Sequence, residues 1–178
     1  KYINSPETEF YKKGNTLFNL NLAKDERPNT NEVVIVEGAD CCGALNHHLG
    51  YHSAMIDSAR RTLSAWWAVI NSDGLDAIVI NTSGCGSVIK DYAHLFSDNS
   101  ELAEAAEVVA GLAVDITEFM NRVGIRPMVG RVKGVKVAYH DSCSLRHGQK
   151  VIQEPRQLLS VSGFDVLDPV EPHICCGS

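Results

Sequence analysis

The tripeptide Cys-Cys-Gly stands twice in this 178-residue chain, at Cys41-Cys42-Gly43 and at Cys175-Cys176-Gly177. Recurrence of so rare a tripeptide points to an internal duplication. Duplication for packing would explain the repetition but not the adjacent thiols. Adjacent cysteines rarely close a relaxed disulfide with each other, because the resulting ring is strained. Adjacent thiolates can instead bind two metal atoms of one cluster, and iron and zinc both favour soft sulfur. The glycine after each pair permits close backbone approach and unusual dihedral angles. Chemistry alone therefore favours iron–sulfur or zinc ligation, with free structural or redox-active thiols as the alternative.

The cysteines follow a regular pattern of elements. Val33-Val34-Ile35-Val36 is a β-branched run suited to a strand buried on both faces. The loop 39–43 follows, and then a helix is predicted from about Gly50 to Asn71, with Met55, Ala59, Leu63, Trp66 and Ile70 on one apolar face. Ala77–Ile80 is a second buried run, leading into a loop that holds Cys85. Asp98, with Glu101 three residues on, suggests a capping box. The helix it opens carries Leu102, Ala105, Val109, Leu112, Ile116 and Met120 on one face and closes near Gly124. Glu101, Glu104 and Glu107 read as its solvated face. Lys136–Tyr139 is a third strand, ending at His140-Asp141-Ser142-Cys143. A helix from about Gly148 to Val161 contains Pro155, so it either starts there or is kinked there. Phe164–Leu167 is the fourth strand.

Alternating strands and helices predict an α/β protein with mostly parallel sheets. Specifically, we expect two pseudo-repeated Rossmann-like βαβ units with the cysteine loops at the strand carboxyl ends. Ligands of open α/β sheets bind at that edge. The expected organisation is an arm at 1–31, a first repeat at 32–127 and a second at 128–178. Trp66, Trp67, Met55 and Met120 read as core, and Arg146 and Lys150 as exposed helix charges.

Charge and hydropathy exclude several classes. With 16 basic against 22 acidic side chains the net charge is −6, which argues against a nucleic-acid binder, because phosphate contacts need a basic face. No apolar run approaches the roughly 20 residues of a membrane helix. The polar start of the chain lacks the apolar core of a signal peptide, so neither secretion nor a disulfide framework is expected. No glycine-rich nucleotide fingerprint follows either early strand.

Four stretches carry a family resemblance: Glu37–His48, Ala65-Trp66-Trp67, Asn81–Gly86 with Lys90-Asp91-Tyr92, and His140–Gln149 with His173–Ser178. They resemble the cysteine-rich CCG domain, found in heterodisulfide reductases and in iron–sulfur subunits of glycolate and lactate oxidation systems. The likeness is strongest to the glycolate oxidase iron–sulfur subunit. The family pattern is a Cys, a gap of about thirty to forty residues, Cys-Cys-Gly, a similar gap, then Cys-x-x-Cys. Here 31 residues separate Cys143 from Cys175.

The resemblance implies iron–sulfur ligands Cys41, Cys42 and Cys85 in a first site and Cys143, Cys175 and Cys176 in a second. The cluster would be a 4Fe-4S centre, cubane or non-cubane. A fourth ligand is needed, and His47, His48, His140, His147 and His173 lie nearby in sequence, where imidazole suits zinc or iron. Each histidine taken singly is more often a loop hydrogen-bonder than a ligand. No cysteine precedes the first Cys-Cys-Gly, and Thr82 and Val88 cannot serve as thiolates beside Cys85. The chain also ends before a second closing motif and lacks ferredoxin-type cysteine runs. We therefore expect a fragment of a longer subunit, holding zinc or no metal when purified in air.

The implied function is electron transfer in a 2-hydroxy-acid oxidising complex, glycolate to glyoxylate. Electrons would pass from a flavoprotein partner to a quinone or another acceptor. The implied location is cytoplasmic, with peripheral association at the inner face of the membrane through partners. Lactate oxidation or a heterodisulfide-reductase-like role is one alternative. A zinc-bound or metal-free interaction module is the other.

Overall fold

The computed structural model describes residues 41–72, 74–124, 132–172, 174 and 175, and the backbone of Val33–Ile35. The 1–31 arm, positions 127 and 128, His173 and Cys176 lie outside the described residues. The chain divides into two units, Lys1–Val114 and Asp115–Ser178.

The first unit runs β1 (Val33–Ile35), α1 (Ala44–His48), α2 (His52–Ser72), β2 (Ala77–Ile80), α3 (Ser83–Lys90), α4 (Tyr92–Leu95) and α5 (Ala103–Leu112). β1 and β2 are parallel, with Val33 opposite Ala77 and Ile35 opposite Val79. All four residues of β2 are buried, as a continuous apolar run in a parallel sheet requires. The sheet order is β1-β2-β3, with β3 at Ala113–Asp115. α2 buries the face that its spacing predicts: Met55, Ala59, Leu63 and Trp66 are in the core, with Ile70 packed at its edge. Each large side chain so buried contributes about 1.5–3 kcal/mol.

Three expectations in this unit are corrected. The helix read from Asp98 to Gly124 is two helices, α5 and α6 (Ile116–Val123), separated by β3. The helical spacing of apolar residues runs unbroken through the junction. What breaks the helix is Asp115, whose carboxylate accepts the Thr117 N–H at 2.8 Å while Glu118 Oε2 accepts the Asp115 N–H at 2.9 Å. That reciprocal capping box starts a new helix. Second, Asn99 rather than Asp98 makes the turn before α5, its Oδ1 accepting the N–H groups of Glu101 and Leu102. Third, Cys85 is not in a loop: α3 begins at Ser83, so Cys85 occupies its first turn.

The second unit contains α6, β4 (Lys136–Ala138), a π-helical turn at Ser144–Gln149, α7 (Glu154–Val161) and β5 (Asp165–Leu167). β4 and β5 are parallel, Lys136 opposite Asp165 and Ala138 opposite Leu167. Of the two options at Pro155, the structure adopts the start. α7 opens at Glu154 with Pro155 in its first turn, where a missing N–H costs nothing. Gly148 and Gln149, expected within that helix, belong to the π-helical turn, which ends at Lys150 in the left-handed region with φ 64°.

The architecture is thus mixed α/β with small parallel sheets. Among the described residues no helix is long and apolar enough to cross a membrane. The capping box yields a prediction. Asp115→Ala should lower unfolding free energy by about 1–2 kcal/mol in urea titration, and Asp115→Asn by clearly less.

Candidate metal centre

The first cysteine pair is held by the core beneath it. Tyr92 is fully buried, and its hydroxyl donates to the Cys42 carbonyl at 2.7 Å. Thr62, buried on α2, donates to the Cys41 carbonyl at 3.4 Å. Gly43 follows with φ +85°, a conformation that side-chain-bearing residues rarely adopt. A Cβ on it would lie 2.9 Å from the Met55 carbonyl oxygen, so the backbone passes α2 too closely for any other residue.

This cradle brings two of the predicted ligands, Cys42 and Cys85, into contact, with Cys41 beside them. The buried Cys42 thiol hydrogen-bonds the half-buried Cys85 sulfur, and Cys41 lies close enough for its charge to act on Cys85 and Tyr92. The Cys85 contact and burial push the Cys42 thiol well above its ordinary value. The same hydrogen bond holds Cys85 below the ordinary thiol range. Cys85 also sits at the N-terminal end of α3, where the helix dipole favours a thiolate. Burial pushes the Tyr92 hydroxyl up, with the neighbouring thiols adding to it, so it remains a donor.

The donor chemistry suits a thiophilic metal, since Cys42 and Cys85 are in contact and Cys85 is held below the ordinary thiol range. Among the described residues no three Cys, His, Asp or Glu side chains already stand at metal-ligand spacing. Of the candidate histidines, His47 is half-buried on α1. Its Nδ1 is shut off from solvent without a hydrogen-bond partner. Its ring meets those of His48 and His52 edge-on, at 5.7 and 6.4 Å between centroids. His48 and His147 are exposed and His140 is half-buried.

In the second unit Cys143 and Cys175 are both exposed, Cys143 directly before the π-helical turn. Such turns recur at functional sites. Asp141, two residues ahead of Cys143, is buried and carries a feature that no sequence pattern announces. Arg146 Nη1 donates to its Oδ2 at 2.6 Å, and Arg156 donates to both oxygens at 2.7 and 3.1 Å. Arg146, expected as an exposed helix charge, is 37% exposed and pairs with the buried Asp141 carboxylate. Burial pushes the Asp141 carboxyl up, but hydrogen bonds from Arg156 and Arg146 outweigh it and hold the group below the usual carboxylate range. No local pattern marks Arg156 or its second partner Asp168. The only sequence signal at Tyr92 is its place in a family motif.

Comparison with known proteins adds the following. The family model of the CCG cysteine-rich domain matches residues 19–90 and 137–178. The glycolate oxidase iron–sulfur subunit of Escherichia coli K12 is 35% identical over 141 residues, 79% of this chain and 34% of that protein. The probable glycolate oxidase iron–sulfur subunit of Bacillus subtilis 168 is 31% identical, over 83% of this chain and 33% of its own length. Lactate utilization protein A of Shouchella clausii KSM-K16 is 29% identical, over 79% of this chain and 57% of its own. The chain thus spans about a third of the first two relatives and somewhat over half of the third. No solved structure matches it.

Two predictions arise here. In the metal-free chain, alkylation of Cys85 should rise with pH through an inflection below the ordinary thiol value of about 8.5. Cys42→Ala should move that inflection upward, read by peptide mass after timed iodoacetamide treatment. Separately, Asp141→Asn should cost about 1–3 kcal/mol at neutral pH, since it removes the buried carboxylate that pairs with Arg146 and Arg156 while Arg156 keeps Asp168 and Arg146 keeps partial solvation. Because the folded carboxyl is depressed, the difference from wild type should shrink as pH falls below about 4. Denaturant titrations across pH measure both.

Proposed function

The chain belongs to the CCG cysteine-rich domain family, and on that premise we propose that it is an iron–sulfur, electron-transferring part of a complex that oxidises a 2-hydroxy acid. The observation that carries this reading is the contact of Cys42 with Cys85, with Cys41 beside them, on a backbone held by a buried tyrosine. Relatives named as iron–sulfur subunits agree with it. Cys41, Cys42 and Cys85 would hold one centre, and Cys143, Cys175 and Cys176 a second. When bound, an iron–sulfur centre supplies one-electron transfer.

The protein's own part is to bind and to manage protons. Thiols must deprotonate to ligate. Cys85, held below the ordinary thiol range by its hydrogen bond with Cys42, is the one poised to do so first. Oxidation of glycolate to glyoxylate releases two electrons and two protons. In our reading a flavoprotein partner takes these from the substrate, and the electrons go on to a quinone or another acceptor. Lactate is the competing substrate, because relatives named lactate utilization protein A are nearly as similar. We place the complex in the cytoplasm, at the inner membrane face through its partners. The two parallel β-helix-β segments, β1 to β2 and β4 to β5, support reading the chain as two Rossmann-like repeats.

A second reading is a zinc-bound module, favoured by the unpartnered Nδ1 of His47, since zinc accepts mixed sulfur and nitrogen ligands. Colour separates the two, because an iron–sulfur protein is brown and a zinc protein colourless. The test of function uses the full-length subunit, prepared anaerobically with its flavoprotein partner. Glycolate or lactate should bleach its visible absorption, and Cys143→Ser or Cys175→Ser should abolish that electron transfer. Full activity in either variant would make those thiols structural.

A further inference from the structure

Arg156 uses every N–H it has. Nε and Nη2 donate to Asp168 Oδ1 at 3.2 and 2.7 Å. Nη1 and Nη2 donate to the two oxygens of Asp141 at 2.7 and 3.1 Å, and Nη1 also reaches the Ile152 carbonyl at 3.0 Å. The guanidinium carbon lies 4.9 Å from the Tyr139 ring centroid, a cation–π contact. Nothing is left over for a substrate. The partners are informative by position. Asp141 follows β4 and stands two residues before Cys143, and Asp168 immediately follows β5 on the way to Cys175. One side chain, projected from the first turn of α7, thus joins the two segments that carry the described cysteines of this unit.

We propose that Arg156 is the positioning residue of the second cysteine centre: it ties the Cys143 segment to the Cys175 segment, so that both thiols can serve one metal. This rests on the reading that these cysteines bind metal together. Only a planar, five-donor fork can grip two carboxylates and a carbonyl at once. A lysine, with three donors on a point charge, cannot reproduce that grip. The Asp168 tie is the weaker of the two, because Asp168 is 62% exposed while Asp141 is 1% exposed.

The test is cadmium protection, using the whole chain freed of metal under argon. Cadmium is titrated in, iodoacetamide is added, and each cysteine's protection is read by peptide mass. In wild type, cadmium should protect Cys143 and Cys175 together. In Arg156→Lys the cadmium concentration needed should rise at least tenfold for these two, with protection of Cys42 and Cys85 unchanged. Asp168→Asn, which spares the buried pair and serves should Arg156→Lys fail to fold, should raise it several-fold. Circular dichroism confirms that each variant is folded. Protection midpoints within twofold of wild type in a folded variant would overturn the proposal, as would no joint protection in wild type. Cadmium protection with the expected shift, in a chain that takes up no iron and sulfide, would sink the iron–sulfur reading and leave the positioning role standing.

Discussion

A single hydrogen bond, from the buried Tyr92 hydroxyl to the Cys42 carbonyl, connects the core of the first unit to its chemistry. It spans 50 positions of sequence and is buried, so leaving either group unpaired would cost about 1–3 kcal/mol. It fixes the backbone of the cysteine pair against α4. Thr62 and the tight passage of Gly43 over α2 fix it from the other side. With the backbone so held, the Cys42 thiol meets Cys85 at the start of α3, and the contact pushes Cys42 up and holds Cys85 down.

The second unit solves a comparable problem with charge. Its strands are short and partly exposed, and apolar burial there is modest. The segments leaving β4 and β5 are joined instead by carboxylates and a guanidinium. A buried ion pair is a poor source of net stability, because desolvation consumes most of its attraction. It is a good source of geometry, because a half-broken pair is costly and the fork admits few arrangements. Both units therefore place cysteines after strands, one by packing and the other by ion pairing.

What could be read from sequence follows from how local each signal is. β2 and the apolar face of α2 were legible, since continuous or 3.6-periodic burial is written in adjacent residues. The contact between Cys42 and Cys85, 43 positions apart, has no local signature, and only the family likeness had put them in one set. The break at Ala113 was not, because Leu112, Ile116 and Met120 keep helical spacing through it, and the deciding feature is the cap at Asp115. Nor was the Asp141–Arg156–Asp168 tie, which joins residues 12 and 15 positions apart and has no local signature. The pairing of the part-exposed Arg146 went unread for the same reason: its partner is a carboxylate whose burial only the fold reveals.

The central claim is that these cysteines hold iron and sulfide. Its most direct test is anaerobic reconstitution of the chain with ferrous iron and sulfide, followed by desalting and assay of bound iron, acid-labile sulfide and visible absorption. The account predicts a brown protein with comparable iron and sulfide, both falling sharply in a Cys42→Ser/Cys85→Ser variant. A colourless protein retaining neither, or one whose iron and sulfide are unchanged by that double substitution, would contradict it.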